Sequence, residues 1–280
     1  MKKQQLILVS SAFAVLILLY FFGNTVPPRK PMAVAKNEAP TTRVIQTPQL
    51  LKHAKERLSP SQLQHITSLE NSISRGDVKN QQIQVYKQLA SFWRDTIQLF
   101  EPYAYYTGEA AKLENSEKNL TFAAHLFLDN LKTEENPAMQ TWLATNAKVL
   151  FDKALEINPN NDSSKIGLGA CYIFGNISDN PMIGIGPIRA IVEKNPNNTY
   201  AQFILGLGGI RSGQYDKAIE RFLIVVGKEP DNLEASLNLA EAYDRKGDKA
   251  NAAKWYRQVK EKIPNPEAQK ELDARINSLK

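Results

Sequence analysis

From Pro48 almost to the C-terminus, apolar residues recur three and four positions apart, the spacing of one face of an α-helix. Leu63, Ile66, Leu69 and Ile73 form one stripe within Ser61–Ser74. Ile83, Tyr86, Leu89, Trp93, Ile97 and Phe100 form a second after the break at Arg75-Gly76-Asp77. Pro102 opens a further helical segment through Lys112, and Leu120–Leu131 follows with Ala123 and Ala124 as a small pair. Runs such as Leu223–Val226 fall inside the helical period, so their β propensity is overruled by the tertiary pattern. The prediction is an all-α chain.

The pattern then repeats. Leu205 matches Leu239, Gly206 matches Ala240, Gly213 matches Gly247, Ala218 matches Ala252, Phe222 matches Tyr256 and Pro230 matches Pro264, each thirty-four residues apart. Small residues at Gly206 and Ala218 let two antiparallel helices approach, and Phe222 fills the space beside them. Gly213 and Gly247 end first helices where a left-handed backbone is easiest. Pro230 and Pro264 close second helices, because proline cannot continue them. The same spacing carries Ala147, Phe151, Ala154 and Pro159 upstream, and Leu168, Gly169 and Tyr172 in between. Boundary signals repeat as well: NPNN at 158–161, NPNN at 195–198 and EPDN at 229–232.

A fixed period of this length is the mark of stacked helical hairpins, and these residues resemble the tetratricopeptide repeat family. The expected architecture is an N-terminal transmembrane helix followed by a right-handed α-solenoid. The boundaries are a short tail at 1–5, an apolar anchor at 6–22, a Pro-rich tether at 23–47 and a degenerate helical region at 48–115. Repeats follow at 116–161, 162–198, 199–232 and 233–266, then a capping helix at 267–280. Lys132–Pro137 reads as an insertion inside the first repeat, and Asn176–Pro181 as another.

Leu6–Phe22 is a run of seventeen residues without a charge, preceded by Lys2 and Lys3. It is longer than the ~7–15-residue core of a cleavable signal and just spans a thin hydrocarbon core. The short basic tail before it predicts that residues 48–280 lie outside the cytoplasmic membrane, in a bacterial periplasm. The net charge of +6 belongs to this end. Residues 1–58 hold nine Lys/Arg against Glu38 and Glu56, leaving 26 bases and 27 acids for the rest. The surplus suits anionic headgroups, and no nucleic-acid partner is expected.

Catalytic and metal-binding patterns are not found. His53, His65 and His125 have no companions at ligand spacing, so no metal is expected. Cys171 has no neighbouring base and reads as a packed residue. No phosphate loop, zinc-protease or nucleophile-elbow motif occurs. The chain is not expected to be an enzyme or to carry a cofactor.

The resemblance implies that first helices line a concave groove for a protein or peptide partner. On this register the groove residues are Ile166 and Ile173, then Tyr200, Phe203, Leu207 and Ile210, then Leu237, Glu241 and Asp244, with Ser163, Ala170 and Glu234 beside them. The family's carboxylate-clamp subset carries Lys, Arg and Asn there, and this chain does not. An apolar floor with an acidic edge suits an amphipathic or basic helix; the protein's own N-terminal helices or a second copy are the other candidate occupants. The expected function is a membrane-anchored scaffold that recruits a partner, with a chaperone-like holder of unfolded secreted chains as the alternative.

Overall fold

Each boundary asparagine becomes a helix cap. Asn161 accepts from the Ser164 amide at 2.9 Å, Asn198 from Ala201 at 3.0 Å and Asn232 from Ala235 at 2.9 Å. Asn136 and Asn265 repeat the device at the starts of the helices that begin at Pro137 and Pro266. Each side-chain oxygen satisfies an amide that the first turn leaves without a partner. A glutamine four residues into three of these helices adds a second tie: Gln140, Gln202 and Gln269 donate to the carbonyls of Glu134, Pro196 and Ile263.

The computed structural model describes residues 45–75 and 78–279. The apolar run at 6–22, nearly all of the tether and Gly76 lie outside the described residues. Among the described residues there are thirteen α-helices and one π-helical turn, with no strand. The first helices are α1 (Thr47–Lys55), α2 (Pro60–Arg75) and α3 (Lys79–Ser91), followed by the π turn Phe92–Ile97 and α4 (Phe100–Glu114). The array continues with α5 (Glu117–Thr133), α6 (Pro137–Ile157), α7 (Asp162–Phe174), α8 (Met182–Lys194), α9 (Thr199–Arg211), α10 (Tyr215–Lys228), α11 (Leu233–Lys246) and α12 (Lys249–Lys262), and α13 (Pro266–Ser278) closes it. No described helix is long and apolar enough to cross a membrane.

Hairpins α5/α6, α7/α8, α9/α10 and α11/α12 each pack on the next. Within the third hairpin a Cβ added at Gly206 would stand 2.7 Å from the Phe222 ring, so only glycine lets that ring lie against the helix. Gly213 and Gly247 have φ of +72° and +89°, the left-handed conformation expected at the ends of α9 and α11. The Gln214 and Asp248 amides then donate back to the carbonyls of Gly209 and Tyr243, closing both helix ends.

Two local expectations need correction. The second N-terminal stripe is not one helix, since the π turn Phe92–Ile97 and left-handed Gln98 (φ 57°) separate the helix ending at Ser91 from the one beginning at Phe100. Lys132–Pro137 is not a free insertion either. α5 runs on to Thr133 and α6 begins at Pro137, because proline is well suited to the first turn after the Asn136 cap.

The main apolar core runs from Ala104 through Ala242, with smaller clusters at each end of the array. This follows from repeats that bury their faces on neighbours rather than around one centre.

Candidate partner-binding face

The stacking defines an inner and an outer side. Consecutive first helices touch, α5 on α7, α7 on α9 and α9 on α11, while consecutive second helices do not pack extensively on each other. The first helices therefore line the inner curve and the second helices splay outside it.

Ile166, Ile173 and Phe203 stand on these first helices but are buried in the main core, with Phe203 only 7% exposed. The reason lies in α9, whose residues Ala201, Phe203, Ile204, Leu205, Leu207 and Ile210 are apolar around the whole circumference. A helix patterned this way buries most of its surface, and here Phe203 lies on the enclosed side. Phe203 meets the Phe222 ring edge-on at 5.8 Å, and the ammonium of Lys132 sits 5.7 Å from its ring centre. Tyr200, Leu207 and Ile210 are half-buried and pack on the core. Leu237 is the exposed member of the set, at 39%.

The acidic edge is already engaged. Glu241 pairs with Arg245 at 2.7 Å on the same helix face, and Asp244 with Arg275 of α13 at 2.5 Å. These carboxylates have internal partners, so a basic ligand would have to displace them.

Lys132 is the inner-face residue that the sequence reading missed. The extra turn of α5 carries it across the curve, 3.2 Å from Asp129 and 3.4 Å from Glu234 of the fourth repeat. One side chain thus links the first repeat to the third and fourth, closing the inner face over Phe203. His125 extends this closed end, packed edge-on against Phe151 at 5.2 Å and near Tyr200 at 5.7 Å, with its ring nitrogen 3.3 Å from the Ser163 hydroxyl. Burial holds the imidazole below its ordinary pKa and pushes the Tyr200 phenol above its own. The described N-terminal helices lie elsewhere: α1 docks on α4, and Thr47 accepts from the Trp142 indole of α6 at 2.9 Å. The accessible part of the inner face is therefore its C-terminal end, around Leu207, Ile210 and Leu237.

The architecture is that of a helical-repeat array. Residues 210–266 match the tetratricopeptide repeat family model. Over 127 residues the chain is 32% identical to interferon-induced protein with tetratricopeptide repeats 2 of Homo sapiens, covering 42% of this chain and 26% of that protein. Over 101 residues it is 25% identical to interferon-induced protein with tetratricopeptide repeats 3 of Mus musculus, covering 36% and 25% respectively. The chain thus spans about a quarter of the length of these curated relatives. Among solved structures, TTC0263, a thermophilic protein of this class from Thermus thermophilus, aligns with a TM-score of 0.50 at 17% identity. That alignment covers 72% of this chain and 98% of the other. The tetratricopeptide repeat is thus shown for residues 210–266.

Proposed function

We propose that the chain is a membrane-tethered scaffold that holds a protein or peptide partner on the C-terminal end of its inner face. Residues 6–22 would anchor it, and 23–47 would lift the array clear of the headgroups, on the periplasmic side. The observation that carries the binding reading is the exposed Leu237 beside half-buried Leu207 and Ile210. Apolar side chains that a fold leaves accessible on a concave surface gain roughly 1.5–3 kcal/mol each when a partner covers them.

The test is affinity purification from crosslinked membranes with the parent chain and with Leu237→Asp. The partner should be recovered with the parent and lost with the variant, at unchanged helicity. Full recovery with Leu237→Asp would move the binding surface off the inner face. Anchoring is read separately, by asking whether the chain stays with the membrane pellet in high salt and whether protease outside spheroplasts digests it.

A further inference from the structure

A second charged feature lies on the outer side, where α8 and α10 splay apart. A cavity of about 60 Å³ opens between them, floored by Ile173, Ile185 and Leu205 and ringed by Arg189, Lys217 and Arg221. No carboxylate lines it. Several cations elsewhere in the C-terminal half sit beside acids: Lys246 pairs with Asp216, Lys262 with Asp231, Arg245 with Glu241 and Arg275 with Asp244. Among the described ion pairs the three cations of the cavity take part in none. Two of them are held instead by neutral groups. Arg221 donates to the Gln202 side-chain oxygen at 2.6 Å, and buried Gln202 is itself fixed by its bond to the Pro196 carbonyl at 2.7 Å. Lys217 donates to Gln214 at 2.8 Å, and Gln214 donates to the Ser212 hydroxyl at 2.8 Å.

We propose that this outer cleft is an anion site that takes a side-chain carboxylate from an acidic segment of a protein partner. Two guanidiniums and an ammonium around one small space repel each other, and a carboxylate between them would relieve that repulsion. Burial, and then the like charge of Arg189, already hold the Arg221 guanidinium below its ordinary pKa, with exposed Glu220 offsetting this only in part. The planar two-oxygen group of a carboxylate matches the guanidinium fork. The aliphatic floor suits the short stem of Asp or Glu. The volume accommodates one compact oxyanion and is too small for a nucleotide. This inference does not rest on the inner-face reading: the cleft shares with that set only buried Ile173 of its floor, and its three cations stand on second helices.

The test uses the full chain in detergent micelles and a fluorescein-labelled hexaglutamate peptide, read by anisotropy at low ionic strength. Arg189→Gln with Lys217→Gln should weaken binding at least about tenfold, the scale of losing charge-assisted bonds. Lys228→Gln with Lys254→Gln removes equal charge from exposed positions elsewhere and should change binding less than about twofold, as for rim charges. Leu237→Asp should leave it unchanged. Equal losses in the two double variants would reduce the effect to general electrostatics and overturn the site. So would failure of the peptide to bind, or loss of binding with Leu237→Asp, which would place the peptide on the inner face. If inorganic phosphate displaces the peptide completely at low millimolar concentration, the site serves a free anion and the partner-carboxylate assignment falls.

Discussion

At the scale of single residues, burial separates positions that the repeat register treats alike. Phe203 and Leu237 both stand on first helices facing the inner curve, yet one is 7% exposed and the other 39%. The difference comes from Lys132 and Phe222, which close around Phe203, whereas nothing comparable covers Leu237. Phe203→Ser should therefore cost roughly 3–5 kcal/mol of stability, the range for emptying a large aromatic site in a core. Leu237→Ser should stay near the roughly ±0.5 kcal/mol typical of surface changes. Urea unfolding of both variants checks this, and a Phe203→Ser midpoint close to the parent would mean that the ring is not part of the core. The residues on either side of this contrast were visible in the sequence. Their separate fates were not, because the Lys132 contact comes from seventy-one positions upstream.

At the scale of elements, the sequence was most legible where local chemistry decides the backbone. The positive φ of Gly213 and Gly247 and the asparagine ending each boundary motif are local requirements, and both can be seen without knowing the fold. Removing one cap tests how much of the array depends on them. Asn232→Ala deletes the acceptor for the Ala235 amide at the start of α11 and should cost about 1 kcal/mol, while Asn232→Ser should recover most of it. Matching thermal melts for the alanine and serine variants would show that the cap contributes nothing. Legibility failed where the same residue type has two uses. Pro137 reads as a break when taken alone, but after Asn136 it occupies a favourable first-turn position, so two long helices replace the expected insertion. The extra turn this gives α5 is what places Lys132 over the inner face. The π turn before Gln98 carried no glycine or proline signal at all.

At the scale of the whole molecule, each hairpin packs its helices on its neighbours, with Lys132 the side chain that reaches further, so stability should be graded along the array rather than shared. The period revealed that arrangement directly. The state of the candidate site was less readable, because it depends on how tightly the array curves and on partners brought in by distant segments. Glu241 has a partner four residues away that the sequence displays, whereas Asp244 takes Arg275 from the closing helix, thirty-one residues on.

That closing helix gives the sharpest test of graded stability. α13 buries Leu272 and Ile276, with Leu279 just beyond its end, in the cluster formed by Ala240, Ala252, Tyr256 and Val259. It also pairs Asp273 with Lys260 at 2.6 Å. Each apolar side chain contributes at most roughly 1.5–3 kcal/mol, an upper figure because an unfolded chain already hides some surface. Removing residues 266–280 should expose the outer face of α12 and strip Asp244 of its counter-ion, while leaving α5 to α8 with all their neighbours. Amide hydrogen exchange should then speed up about tenfold or more in α11 and α12, corresponding to at least ~1.4 kcal/mol of lost local stability, and remain at parent rates in α5 to α8. Uniform acceleration across every helix would show one cooperative unit in place of a graded array. Unchanged rates in α11 and α12 would show that α13 does not stabilise the end it covers.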